Sequence, residues 1–475
     1  MVSETSTAEL VNSRPAEQLV AGRNAAALFS SVIFSTLLGL VLLTAIPYGT
    51  AEPWWKAVFV CLVFAISLLW ILEGFLSGSW QPPGWPIFLP VLALVAFSLA
   101  QTVSLWQEPL DQPGYPSWNA VSADPYATRF FALQLLALAI AGVLFSRYAN
   151  SEQRTRKLIH LIVGVAVASA IFGLVRQTTQ RQLGFGLPLV RPDQGYGQFI
   201  NQNHFAFLME MAFGLIVGMV LGGGVKREKV LIYLAALLPV WSGLVLSNSR
   251  GGILAMLGQV TCSALLLSTV IPRLSSQMGD LRLLRIALSR TTRFFLLLLL
   301  ISAVIVGAVW LGGDRLASKV EQGTTQFSGT SAEMRQNVNR REIWYASWRM
   351  FTDYPIAGVG LGGYWAAVPT YHDASGSLTP QEAHNDYLEL LASGGVIGAV
   401  FGLWFMLVVF KRIQRNLRCE DQFRRTACLG ATIGLIGVGI HSLVDFGLHM
   451  IVNALVFTAL VVIATNAEQE QDCDF

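Results

Sequence analysis

One arginine stands in a short polar segment, SNSRGG at 247–252, between two apolar runs joined by almost no loop. Its guanidinium is planar, permanently charged and able to grip two phosphate oxygens at once. The glycine pair allows a ligand close to the backbone, and the first amides of the following helix favour an anion. A tight polar turn that caps two helices would explain the serines, the asparagine and the glycines, but not an arginine at the tip. We therefore predict that Arg250 binds an anionic group.

A second basic site lies in RREIW at 340–344, where Arg341 and Trp344 share one face if the segment is helical. The alternative is an interfacial amphipathic helix with tryptophan at the lipid headgroups, and such a helix can itself hold an arginine over a phosphate. A charge at the end of an apolar run is costly and suggests function, although snorkelling to the interface also explains it. Further arginines in such positions are Arg176, Arg181 and Arg191.

A histidine directly precedes the apolar run 388–410, in the segment EAHNDY at 382–387. Histidine is the side chain best suited to accept a proton near neutral pH. Either Glu382 or Asp386 could orient the imidazole and raise its basicity. A structural cap at the helix start is the alternative for His384, but the flanking Asn385 and carboxylates favour a functional group.

Two amides and an imidazole occupy the boundary turn NQNH at 201–204, which enters another apolar run. Asn201, Asn203 and His204 could bind sugar hydroxyls, or Asn201 or Asn203 could be an N-cap. The residues alone leave these two interpretations open.

A third polar set, His441, Asp445 and His449, falls at i, i+4 and i+8, which would place it on one helix face around a turn. We expect a buried, hydrogen-bonded tether between the last two helices. Two glycine patterns have simpler explanations than a ligand. The GxGxxG at 358–363 lacks a strand–turn–helix context and predicts a close-packed turn, and the GxxxG at 430–434 predicts helix packing.

The composition indicates an integral membrane protein of the all-α polytopic class. Of 475 residues, 53% are hydrophobic and only 13% are charged, about half the charged share of soluble domains. This excludes a cytosolic enzyme, a disulfide-stapled secreted domain and a nucleic-acid binder. The five cysteines have no zinc or disulfide spacing, and we expect no metal and no cofactor.

About twelve apolar runs have spanning length, because about 20 residues cross a bilayer as a helix. They lie at 25–46, 55–77, 84–105, 129–148, 158–176, 204–222, 230–247, 251–272, 294–313, 387–410, 427–444 and 446–466. The predicted organisation is a cytoplasmic N-terminal tail at 1–24, helices 1 to 9 at 25–313, an external (periplasmic) loop with short helices at 314–386, helices 10 to 12 at 387–466 and a cytoplasmic C-terminal tail at 467–475.

The basic residues predict the orientation. Most of the 32 Lys and Arg fall in five segments that lie on one side of this plan, and short cytoplasmic loops carry the excess of positive charge. Both ends are therefore predicted inside, with SNSRGG, RREIW and His384 at the outer face.

These motifs resemble the O-antigen ligase and O-antigen polymerase family of bacterial envelope glycosyltransferases. The matching segments are GQFINQNHFAFLMEM (197–211), SNSRGG (247–252), RREIW (340–344), YPIAGVGLGGY (354–364), EAHNDYLELLASGG (382–395) and HSLVDFGLHMIVNA (441–454). Their order and predicted side are specific as a set. The resemblance covers roughly 160–460, whereas the first 150 residues match only in hydropathy.

The resemblance implies a metal-independent, inverting glycosyltransferase in the bacterial inner membrane, with its active site facing the periplasm. It implies a glycan donor on undecaprenyl pyrophosphate, and lipid A core or a lipid-linked glycan as acceptor, in lipopolysaccharide or exopolysaccharide biosynthesis. The family's essential arginines and histidine map to Arg250, Arg341 and His384, and Arg340 could replace Arg341. The predicted substrate-binding residues are Arg340, Asn201, Asn203, His204, Arg191, Trp344 and Asn385.

Two questions stay open in the sequence. A ligase and a polymerase share this fold and donor, so the acceptor is not distinguished. A transporter or flippase of lipid-linked sugars is the alternative function, and it should place charges near the membrane midplane, often at broken helices. The polar residues here gather at the outer boundary, which favours chemistry.

Overall fold

The computed structural model describes residues 5–46, 48–78, 84–104, 120–179, 195–275, 340–373 and 379–466. Its helices are α1 (Thr5–Thr44), α2 (Pro53–Ser77), α3 (Leu89–Ala100), α4 (Pro125–Tyr148), α5 (Glu152–Thr179), α6 (Gln202–Leu221), α7 (Arg227–Leu246), α8 (Arg250–Ser275), α9 (Arg340–Asp353), α10 (Tyr364–Ala367), α11 (Asp386–Asn416), α12 (Gln422–His441) and α13 (Ile451–Thr465). The predicted all-α fold is confirmed over these residues.

Eight of the described helices are long and apolar enough to cross a membrane: α1 from Ala25, α2, α4, α5, α6, α7, α11 and α12. Two shorter apolar helices, Trp85–Ala100 (a 3-10 turn leading into α3) and α13, occupy further predicted spans. Helix α8 covers the predicted span 251–272, whereas 294–313 lies outside the described residues. A multi-pass membrane protein is therefore supported, while the count of twelve stays a prediction.

Helix α6 runs through the centre of the bundle and is the most buried of the eight spans. It packs against α12 with backbone on backbone, because Gly214 and Gly218 face Gly434 and Gly430. A Cβ atom on Gly214 or Gly218 would collide with the α12 backbone. The packing role predicted for the GxxxG is confirmed, and α6 carries a matching GxxxG. This contact fixes the start of α6 relative to the end of α12.

Helix α11 is interrupted at Gly395, whose φ of 60° lies outside the helical region. The segment 355–363 fills the break: the amides of Val359 and Val396 pair with the carbonyls of Ala392 and Pro355 at 3.0 and 2.8 Å. Backbone groups inside a membrane must be satisfied in this way. The segment therefore ties α9, which precedes it, to α11.

The GxGxxG turn belongs to this docked segment. Gly358 and Gly360 have φ of +66° and +99°, and a Cβ on Gly358 would collide with the backbone of Ser393. The Gln101 amide also reaches in from beyond α3 and donates to the carbonyls of Ala357 and Ser393 at 2.6 and 3.0 Å. The close-packed turn predicted from the sequence is confirmed.

The two ends of the bundle differ in charge. At one end, Arg156 of α5 donates to the Gly224 carbonyl after α6 and lies 4.1 Å over the Phe423 ring at the start of α12. The basic segments near 147–157, 226–229 and 411–425 follow or precede helices at this end. The start of α6 and the end of α12 lie at the opposite end, where the predicted functional motifs meet. This arrangement agrees with the alternation that predicted the orientation.

Candidate active site

The connection between α12 and α13 is not one helix face, so that prediction is wrong. Helix α12 ends at His441, a 3-10 turn spans Gly447–His449, and α13 begins at Ile451. The three polar residues of this segment therefore point to three different partners. They do tie helices together, as expected, but each does so with another part of the bundle.

Asp445 is the centre of the site. Its carboxylate is fully buried and accepts a hydrogen bond from Nδ2 of Asn203. Nη2 of Arg340 lies 3.2 Å from Oδ2, and Oδ1 lies 3.6 Å from Nδ1 of His384 and 3.9 Å from Nε2 of His204. One carboxylate thus joins four of the residues that the sequence predicts for catalysis or substrate binding.

The charges around Asp445 favour its ionised form. Burial alone would raise the pKa of this carboxyl, but the interactions with His384, His204 and Arg340 lower it below its usual range. A buried carboxylate needs such partners, because removing a charge from water without compensation is expensive. Asp445 therefore holds two imidazoles and a guanidinium around one fixed anion.

Arg250 and Arg340 are neighbours. Each is the first residue of its helix, α8 and α9, and their guanidinium charges lie close enough to interact. Arg250 is exposed, and the Arg340 side chain is 31% exposed. Two like charges side by side repel each other, so an anion between them relieves the repulsion. The pair can bind a group that carries more than one negative charge.

A buried hydrogen bond between His441 and Glu210 lies next to the turn that carries Arg250. Nδ1 of His441 lies 2.6 Å from Oε1 of Glu210, both side chains are fully buried, and the imidazole stacks on Phe207 at 4.1 Å. Gly251 packs against this imidazole so closely that a Cβ atom would collide with it. The glycine after Arg250 is therefore required by packing on His441.

The turn before Arg250 is also capped, as the alternative interpretation expected. Asn248 has a positive φ of 55°, and the Ser249 hydroxyl accepts from the Gly252 amide at 3.1 Å. Capping and anion binding are compatible, because the cap uses the serine and leaves the arginine side chain at the surface.

His384 stands beside Asp445 on a strained turn. Its φ is +50°, a value that residues with a side chain seldom adopt. Its ring meets the edge of Phe446 at 4.7 Å, and its side chain is 30% exposed. With Nδ1 facing the Asp445 carboxylate, Nε2 is the nitrogen available to accept a proton. The sequence suggested Glu382 or Asp386 as the orienting group, and the structure assigns that place to Asp445.

Glu382 and Asp386 instead contact His449. Nδ1 of His449 lies 3.2 Å from Glu382, and Nε2 lies 3.4 and 3.8 Å from Glu389 and Asp386. Burial alone would lower the pKa of His449, but the three carboxylates raise it to about 10. Burial would raise the pKa of Glu382, but His449, Glu389 and Lys56 lower it to about 2. Glu382, Glu389 and His449 are also close enough to hold a metal ion.

The other predicted residues have separate positions. Asn201 and Asn385 are N-caps of α6 and α11: their side chains accept from the amides of Asn203 and of Tyr387 and Leu388. Trp344 is half-buried and its indole Nε1 is enclosed without a hydrogen-bond partner among the described residues. Arg341 is exposed on α9. Arg176 donates to the Gly197 carbonyl at 2.8 Å, while Arg181 and Arg191 lie outside the described residues.

The sequence did not predict the central role of Asp445 or a role for Glu210. Glu210 stands in the apolar run LMEMAF, and an ionisable residue inside a membrane span is by default a candidate for function. That signal was present. The link from Asp445 to His384 had no local signal, because 61 positions separate them and a turn, not a helix, carries Asp445.

Residues 233–403 match the family model described as O-antigen ligase. The match supports the resemblance that the motifs indicated, and it spans Arg250, Arg340 and His384. This family implies a membrane enzyme of glycosyltransferase type that acts on lipid-linked glycans. No curated protein matches the chain.

Proposed function

We propose that this protein transfers a glycan from undecaprenyl pyrophosphate to an acceptor hydroxyl at the periplasmic face of the bacterial inner membrane. The observation that carries the proposal is that Arg340 and His384 meet at Asp445, with Arg250 beside Arg340, at one end of the helical bundle. The acceptor is the hydroxyl of lipid A core in a ligase or of a second lipid-linked glycan in a polymerase.

The arginine pair suits the leaving group. When the bond between the anomeric carbon and the pyrophosphate breaks, the electron pair and the negative charge go to the phosphate oxygen. Fixed guanidinium groups stabilise that developing charge more than the ground state, which lowers the barrier. In the proposed reaction Arg250 and Arg340 do the work that a divalent cation does in many other glycosyl transfers, so the reaction proceeds without metal.

His384 is suited to act as the general base. In the proposed step its Nε2 takes the proton of the acceptor hydroxyl, and the acceptor oxygen bonds to the anomeric carbon from the face opposite the departing pyrophosphate. This displacement inverts the anomeric configuration. Asp445 holds the ring and stabilises the imidazolium that forms, a role that a buried carboxylate beside a catalytic histidine also has in hydrolase triads.

Of the two adjacent arginines, the contacts favour Arg340 as the pyrophosphate ligand. Arg340 interacts with Arg250 and is oriented by Asp445. Arg341, the position that the family resemblance indicates first, follows it on the exposed surface of α9. In this proposal Arg341 contributes to binding the donor from the rim.

The experiment is transfer in vitro with purified protein, a lipid-pyrophosphate glycan, and lipid A core or a second donor molecule as acceptor. Arg250→Ala and His384→Ala should abolish product while the protein stays folded in detergent. Arg349→Ala, on the same helix as Arg340 and over the Tyr371 ring, is the matched control and should retain activity. Transfer should continue in EDTA.

Two results would contradict the proposal. Transfer at the wild-type rate by His384→Ala would remove the histidine from the role of base. A strict requirement for a divalent metal would refute the metal-independent step.

A further inference from the structure

We propose that His449 is a positioning residue for the reaction: as an imidazolium it clamps both sides of the turn that carries His384. The proposal rests on the function proposed above, because it gives His384 a task that depends on its position. His449 itself does not touch the reacting atoms.

Both ring nitrogens of His449 face carboxylates. Nδ1 lies 3.2 Å from Glu382, and Nε2 lies 3.4 Å from Glu389 and 3.8 Å from Asp386. A neutral imidazole has one N–H and one lone pair, and a lone pair that faces a carboxylate is repelled. An imidazolium presents a hydrogen to each side. The geometry therefore favours the charged form.

The carboxylates that His449 holds bracket His384 in the chain. Glu382 precedes it by two residues and Asp386 follows it by two. The second oxygen of Glu389 accepts from the Ala383 amide at 2.8 Å, next to His384. One imidazolium thus links the residues before His384 to those after it. The two segments cannot separate without breaking an ion pair.

The turn needs such a clamp because its backbone is strained. A φ of +50° at a histidine costs free energy, and such conformations persist only where the surroundings enforce them. On the exit side, the Asp386 amide donates to the Ser442 carbonyl at 3.0 Å and the Ser442 hydroxyl donates to the Asp386 carboxylate at 2.6 Å. On the entry side, the Ala383 amide donates to Glu389 of α11, and His449 is the cation that joins Glu382 to the α11 carboxylates.

Other charged groups near the clamp leave His449 as its central cation. Lys56 of α2 lies near Glu382 and adds a positive charge from the side. Asp445 acts on Asp386 from the neighbouring cluster, and His204 feels the charge of His449. The carboxylates outnumber these cations, which explains why the pKa of His449 is raised to about 10. At physiological pH His449 is therefore charged and can pair with these carboxylates.

The same three side chains could instead hold a divalent cation, because Glu382, Glu389 and His449 approach one another closely. A metal ion needs a bare ring nitrogen with its lone pair. Here both nitrogens face carboxylates at ion-pair distances, so we favour the proton. The experiment separates the two chemistries.

The kinetic test compares three variants of the full-length protein in detergent, with a lipid-pyrophosphate glycan as donor. His449→Gln removes the charge and should lower kcat about 10²-fold while KM for the donor changes less than about two-fold. His449→Lys restores a cation and should recover part of the lost kcat. His160→Gln, in which a histidine bonded to Tyr233 at the other end of the bundle is changed, should behave as wild type.

A second readout does not depend on activity. In protein labelled with ¹⁵N-histidine, the His384 ring signals, assigned as those lost in His384→Ala, should shift in His449→Gln and stay in place in His160→Gln. If purified wild-type protein transfers no glycan, the proposed function fails, yet this spectrum still tests the clamp.

Unchanged His384 signals in folded His449→Gln would overturn the proposal. So would a rise in KM with unchanged kcat, which would make His449 a donor-binding group. Loss of wild-type activity in EDTA with recovery on adding a divalent metal would also overturn it, because the cluster would then be a metal site.

Discussion

Two charge clusters flank His384, and the central charge of one is opposite in sign to that of the other. In the first, one buried anion, Asp445, is surrounded by His204, His384 and Arg340. In the second, one cation, His449, is surrounded by three carboxylates. Both centres come from the same connection between α12 and α13, four residues apart, with Phe446 touching His204, His384 and His449.

The difference in sign assigns the two clusters different tasks. The Asp445 cluster has more positive than negative partners once Arg250 is added, so its surface attracts an anion such as a pyrophosphate. The His449 cluster balances its carboxylates against His449 and the nearby Lys56, so it offers no comparable attraction for an anion. A donor is therefore guided to the arginine side of His384, while the opposite side is reserved for holding the turn.

The largest expected effect comes from removing the anion at the centre of the first cluster. Asp445→Asn keeps the shape but leaves His384 without a carboxylate and frees Arg340. We expect the transfer rate to fall about 10³- to 10⁴-fold, as for other histidines that lose an orienting aspartate. The measurement is initial rate at saturating donor, with thermal unfolding as the control for folding. A fall of less than ten-fold would contradict the proposed role of Asp445 in orienting His384.

The next effect separates the adjacent arginines. Arg340→Ala removes a guanidinium that pairs with Asp445 and neighbours Arg250, and the rate should fall about 10²- to 10³-fold, as when one donor to a developing anion is lost. Arg341→Ala should cost less than about ten-fold and act mainly on donor binding. The reverse order would place the second pyrophosphate ligand at Arg341.

A smaller effect appears in the pH dependence of stability. The pKa of His449 is raised from 6.5 to about 10, so its contribution to stability is complete below pH 6.5 and is lost as the pH rises through about 10. The difference in unfolding temperature between the wild type and His449→Gln should narrow as the pH rises above 6.5 and close by about pH 10. A gap that widens with pH would contradict the charged clamp.

The smallest effect concerns a cap. Asn201 accepts from the Asn203 amide at 2.8 Å, and Asn201→Ala should lower the free energy of unfolding by about 1 kcal/mol. Asn203→Ala removes a hydrogen bond to Asp445 and should reduce transfer as well. Equal losses of transfer in both variants would show that Asn201 binds the sugar rather than capping α6.

The types of residue at the site could be predicted from the sequence better than the contacts between them. Arg250 and His384 were identifiable because charge and imidazole at the ends of apolar runs need an explanation. The choice between Arg340 and Arg341 could not be predicted, because neighbouring positions on a helix point in different directions and only the packing of α9 against α11 sets which one faces the site.

The partners of the carboxylates also could not be predicted from the sequence. Spacing of four residues suggested one helix face for His441, Asp445 and His449, but α12 ends at His441 and the three side chains separate. The positive φ of His384 turns it to Asp445, which leaves Glu382 and Asp386 to His449. Such backbone reversals have no periodic pattern, so they appear only when the neighbouring helices are in place.

In the proposed reaction, the two guanidinium groups and His384 serve one reacting centre. The most direct measurement is a structure of the protein with a bound lipid-pyrophosphate glycan. We expect the diphosphate between Arg250 and Arg340, with the anomeric carbon on the side of His384. A headgroup bound elsewhere, with lipid tails between Arg250 and His384, would contradict it.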